Sequence, residues 1–202
     1  MRRILIVALL SLTIPTAALA DGMDLVNKWG TINISNAGII SKGSQLMQFN
    51  GIGTGHSLGT VSFATGALLS GSLEAGGTFS SDGSFIRVVG IGNGGQQKGV
   101  IFNGAFVGPI SWTLLSRSGQ SLVFQLSGAL SGQLLNGRIV SGTTTQLFRI
   151  SSGQQFAKGI GHLMSGDSHL VTTPEPGTLV LMGLGLLGIA SKVRPQFLPR
   201  RS

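Results

Sequence analysis

Along the middle of the chain, between Asp21 and Val171, apolar residues recur at every second position. That is the period of a strand with one buried face. Ile110, Trp112 and Leu114 alternate with Ser111 and Thr113, a turn signal follows at Ser118-Gly119, and Leu122, Phe124 and Leu126 resume the alternation. This predicts a β-hairpin with one apolar face. Asn136-Gly137, set between two short apolar runs, predicts a second hairpin with a type I′ turn, because both residues tolerate positive φ. Asp82-Gly83 predicts a third in the same way, between residues 77–81 and 84–89. Further strands are expected at 30–35, 44–49, 60–64, 100–106 and 144–150. The segment around His162, Asp167 and His169 reads as a polar loop. Many short strands with turns between them predict an all-β domain, an antiparallel Gly/Ser-rich sandwich or barrel-like body. An outer-membrane barrel would want aromatic girdles, and the chain has no Tyr and two Trp.

The two ends break this pattern. Met1-Arg2-Arg3 precedes an apolar run from Ile4 to Leu12, and Ala18-Leu19-Ala20 follows. A positive start, a short apolar stretch and small residues at Ala18 and Ala20 predict a signal peptide over residues 1–20, cleaved before Asp21. At the other end Pro174-Glu175-Pro176 leads into fifteen uncharged residues, Gly177 to Ser191, and then Lys192 and Arg194. As a helix that run spans about 22 Å, shorter than a hydrocarbon core of about 30 Å. Lys192 and Arg194 can snorkel and extend it, and they predict a cytoplasmic basic end. The expected organisation is a signal peptide at 1–20, an exported β domain at 21–172, a sorting and anchor segment at 173–194, and a basic tail at 195–202.

Charge changes the picture only once it is mapped. The net charge of +8 suggests a nucleic-acid binder, yet Arg2, Arg3, Lys192, Arg194, Arg200 and Arg201 supply six of the fourteen positive charges. From Asp21 to Glu175 there are eight Lys/Arg and six Asp/Glu, spaced singly. No basic cluster marks a nucleic-acid face there. The absence of cysteine removes disulfides, thiol nucleophiles and Cys-based zinc sites.

Three segments imitate chemistry. Gly55-His56-Ser57-Leu58-Gly59 fits the G-x-S-x-G nucleophile elbow, which needs a strand-to-helix turn. Residues 60–64 read as another strand instead. Gly90-Ile91-Gly92-Asn93-Gly94-Gly95 fits a dinucleotide fingerprint, but neither a helix nor an acid follows at the required distance. His162, Asp167 and His169 hold metal-capable atoms at no standard zinc spacing. No metal or cofactor is expected, and the scarcity of paired carboxylates argues against a glycosidase.

Taken together, Pro-Glu-Pro, the Gly-Thr-Leu start, the Gly/Leu-rich run and the basic stop resemble the PEP-CTERM sorting tail. The resemblance implies recognition by an exosortase at Pro174, Glu175 and Pro176, with this chain as its substrate. It also implies an exported, surface or extracellular-matrix protein, transiently anchored at the inner membrane and associated with exopolysaccharide. The β domain is expected to be non-enzymatic. The alternatives are a secreted serine hydrolase using Ser57 with His162 or His169, and a carbohydrate-binding module marked by an exposed Trp29. Trp112, in phase with Ile110 and Leu114, is expected in the core.

Overall fold

A computed structural model describes residues 22–94, 97–151 and 159–172. Ala18, Ala20 and the whole tail from Thr173, including Pro174, Glu175 and Pro176, lie outside these residues. Among the described residues all regular structure is strand: β1 (Gly22–Lys28), β2 (Thr31–Ser35), β3 (Gly38–Phe49), β4 (Gly59–Ala64), β5 (Leu68–Ser72), β6 (Gly76–Phe79), β7 (Phe85–Ile91), β8 (Lys98–Ser118), β9 (Ser121–Leu134), β10 (Ile139–Ser151) and β11 (Ile160–Thr172).

Every pairing is antiparallel, and the sheet closes on itself. β1 and β2 are two lengths of one stave, both lying between β11 and β3. β6 and β7 share one side of β8 in the same manner, and β4 and β5 run beside them. The result is an eight-stave up-and-down barrel in which each stave pairs with the next and β11 returns to β1. Closure removes most of the unpaired edges that a sandwich would leave, β5 alone among the described strands pairing on one side only, with β6. Of the two predicted architectures, the barrel is the one formed. β8 changes partner from β7 to β6 at a bulge over Gly108-Pro109, where a residue without an N–H is tolerated.

Inward positions carry the core. Trp112 is buried and stacks on Phe124 with centroids 4.4 Å apart, and it meets Phe79 edge-on at 6.4 Å. Its indole N–H donates to the carbonyl of Leu73 at 2.9 Å, so burial leaves no orphan donor. Phe63 packs on both Phe106 and Phe148. Apolar residues point in and polar residues cover much of the wall, the reverse of a barrel embedded in lipid. Asp21–Thr172 is a compact unit by itself, and all of these pairings and core contacts fall within it.

The closing seam is built differently. Asn27 on β1, Ser44 on β3, Thr144 and Gln146 on β10, and Ser168 on β11 are all buried. Asn27 Nδ2 donates to Ser44 Oγ at 2.7 Å and to Gln146 Oε1 at 3.0 Å, while Gln146 Nε2 donates to Thr144 Oγ1 at 2.8 Å and to Asn27 Oδ1 at 3.3 Å. Thr144 and Ser168 share a hydrogen bond of 2.7 Å. Buried amides are tolerable only when paired in this way. Gly166 lies against the pair, and a Cβ there would collide with Gln146 Oε1 and Asn27 Oδ1.

Three expectations are corrected. Asp82-Gly83 does not reverse the chain: β6 and β7 run the same way along β8, and the turn, closed by Ser84 N–H to Ser81 carbonyl at 3.0 Å, only offsets them. Asn136-Gly137 does form a hairpin, but only Gly137 has positive φ (80°), so the turn is not type I′. Gly137 N–H donates to the Leu134 carbonyl at 2.9 Å, giving a type I turn followed by a left-handed glycine. The segment around His162 and His169 is no loop. It is β11, the strand that closes the barrel.

Candidate functional site

Gly22 pairs with Val171, so the chain enters and leaves the barrel at the same end. That proximal end also carries the β3–β4 loop, the β7–β8 loop and the β9–β10 turn. β11 stops at Thr172, two residues before Pro174. In sequence, the predicted sorting segment follows the last residue of this strand.

Ser57 lies in the β3–β4 loop, ahead of strand β4 and not ahead of a helix. Its hydroxyl donates to the Gly59 carbonyl at 2.8 Å and accepts from the Gly59 N–H at 3.3 Å. This local turn occupies the group that a hydrolase would have to present to a base. His162 and His169, the bases that the alternative hydrolase reading would use, belong to β11. Gly90 ends inside β7, and Gly92 and Gly94 turn the chain back toward β8 with φ of 87° and 62°. The described part of the glycine fingerprint thus lies between two paired strands, and among the described residues no helix N-terminus stands there to hold a pyrophosphate.

Of the three metal-capable residues on β11, Asp167 and His169 share the outer wall and His162 lies further along it. His169 faces Asp24 across the seam, with Nδ1 and Oδ1 2.5 Å apart. Together with Thr143, Thr145 and Asp167 the pair lines a shallow groove of about 530 Å³. Sequence reasoning missed Asp24, whose strand adjoins the predicted cleavage site. The alternation of Met23, Leu25 and Asn27 is the signal that could have found it. Both members of the pair are more than half exposed, so it adds little to stability. Among the described residues no group of three metal-ligating side chains converges.

A second cavity of about 260 Å³ opens at the proximal end between Met23, Phe49, Ile101, Leu134 and Leu135, with the amides of Gln97 and Asn136 beside them. Barrel mouths are places where small ligands lodge. This one is shallow because the interior beneath it is filled with side chains.

The two tryptophans separate cleanly. Trp112 sits in the core, as its phase predicts, whereas Trp29 is 54% exposed. Trp29 forms the break between β1 and β2 and holds a left-handed conformation, φ 60°. A bulky residue there costs of order 1–3 kcal/mol.

Comparison with known proteins adds one finding. Residues 172–194 match the PEP-CTERM protein-sorting motif. The motif starts on the last residue of β11 and contains Pro174, Glu175 and Pro176. It implies export, exosortase processing and sorting to the cell surface. No curated protein and no solved structure matches the chain.

Proposed function

We propose that the chain is a non-enzymatic protein of the cell envelope or extracellular matrix, a filled β-barrel delivered by a two-ended address. In this reading the signal segment is cleaved after Ala20 and the 177–191 segment anchors the chain transiently in the inner membrane. An exosortase then recognises Pro174-Glu175-Pro176 and passes the barrel to the surface. The observation that carries the reading is the sorting motif joined directly to the closing strand. The non-enzymatic part is supported by the Ser57 hydroxyl bonded within its own loop and by an interior packed with side chains. Association with exopolysaccharide in the matrix belongs to the same proposal.

Deleting Pro174 to Ser202 tests the sorting. With a tag inserted in the barrel, the truncated protein should move to the periplasm or medium, while the full chain reaches the surface by way of the membrane. Identical fractionation of the two would refute the reading. N-terminal sequencing of the exported protein should begin at Asp21, and an uncut Met1 would contradict the cleavage. An esterase assay with Ser57→Ala addresses the rival: hydrolysis lost in the variant would make the barrel an enzyme.

A further inference from the structure

Trp29 is a poor choice for folding alone. A left-handed φ suits glycine or asparagine, and more than half of this side chain remains in solvent. The surrounding wall is defined by register. Lys28 faces Gln45, Thr31 faces Lys42, and His162 faces Thr31 from the other side. Lys28, Thr31, Lys42 and His162 are exposed and Gln45 is half-buried. Gly30 packs so closely on β3 that a Cβ would touch the Lys42 carbonyl and the Ser44 N–H group, which fixes the Trp29 backbone against the Lys42 strand. The acid nearest in register is Asp167, opposite Val26 and two positions from Lys28 along β1. Among the described residues neither lysine enters an ion pair.

We propose that Trp29, with Lys28 and Lys42, is a binding site for an acidic polysaccharide, a chain of pyranose units bearing carboxylates. The flat indole offers its face to the C–H side of a sugar ring, an amphipathic surface with one apolar side and a wet rim. Lys28 precedes Trp29 in the chain and Lys42 lies opposite Thr31, so both cations belong to the stretch of wall that carries the indole and can pair with the carboxylates of a sugar acid. The hydroxyl and amide of Thr31 and Gln45 can bond ring hydroxyls. A single-stranded nucleic acid also needs cations and stacking, but its sites track several phosphates with successive aromatics. One aromatic and two lysines match a sugar acid better. The proposal rests on the matrix association proposed above for its class of ligand and on the wall geometry for its site, and because the test uses the barrel alone, its failure leaves the sorting reading standing.

The compact unit Asp21–Thr172 is suited to the test, since the strand pairings and core contacts of the described residues all fall within it. Polygalacturonate is the probe, dextran the neutral control and a dT oligonucleotide the nucleic-acid control. Because Trp112 is buried, the red edge of the emission reports Trp29. Polygalacturonate should shift that emission to the blue and retard the protein in an affinity gel, with binding weakened by added salt. Trp29→Asn should weaken binding at least tenfold while leaving the thermal midpoint unchanged or raised. The pair Lys28→Gln and Lys42→Gln should weaken binding several-fold and flatten the salt dependence. No retardation by polygalacturonate, or equal retardation of Trp29→Asn, overturns the proposal. So does tighter binding to dextran or to the oligonucleotide. A markedly lower thermal midpoint for Trp29→Asn would show that the tryptophan serves the fold, and that too would overturn it.

Discussion

The β8–β9 hairpin and the β1–β11 seam are both antiparallel ladders, yet they hold the barrel by opposite means. The hairpin joins neighbours in sequence through a tight turn, and its inward face is aromatic: Trp112 against Phe124, with Phe148 beside them. The seam joins residues such as Asp24 and His169, 145 positions apart, and much of its inward face is amide and hydroxyl. Apolar burial is non-directional and tolerates small errors of position. Paired amides fix one register, because a slip leaves buried donors and acceptors unmatched. The hairpin therefore supplies bulk stability, and the seam specifies where the ring closes.

Substitutions can break this contrast, and the largest effect is expected in the hairpin. Trp112→Ala should destabilise the barrel by about 3–5 kcal/mol, measured by denaturant unfolding. A loss below about 1 kcal/mol would mean that the aromatic stack is not the main store of stability. Next comes Gly166→Ala, whose methyl would displace the Asn27–Gln146 pair. Overpacking together with broken hydrogen bonds should lower stability by about 2–4 kcal/mol. Gln146→Leu leaves the Asn27 amide without its reciprocal partner and should lower stability by about 1–3 kcal/mol. Kinetics sharpen the comparison further. Local contacts form before distant ones, so Trp112→Ala should slow refolding, while Gln146→Leu should act mainly by speeding unfolding. The smallest effect belongs to His169→Asn on the outer wall, at most about 0.5 kcal/mol in the same unfolding assay.

The same contrast explains what was legible in the sequence. Ile110, Trp112, Leu114, Leu122, Phe124 and Leu126 announce the hairpin because every inward position is apolar and the turn is short. β11 could not be read that way. Gly166 and Ser168 occupy inward positions where the period-two pattern would want apolar residues, since the seam is filled by side chains from β1, β3 and β10. A polar interior looks like a loop until its partners are known. Asp82-Gly83 misled for a related reason, because a turn dipeptide marks a bend and does not say whether the chain reverses. On the functional side, the sorting tail was legible as a linear address, whose meaning depends on residue order. The Trp29 patch was only half legible. Its aromatic could be named, but Lys42 and His162 are brought beside it by strand register alone.

The central claim is that the tail is read at Pro174-Glu175-Pro176 and delivers an intact barrel. The most direct measurement is the mass and location of the protein in cells that contain an exosortase, compared with P174A/E175A/P176A. The wild type should be recovered at the surface, shortened near those three residues. The variant should stay in the membrane fraction and retain residues 177–202. Surface recovery of both proteins with the same C-terminus would contradict the account.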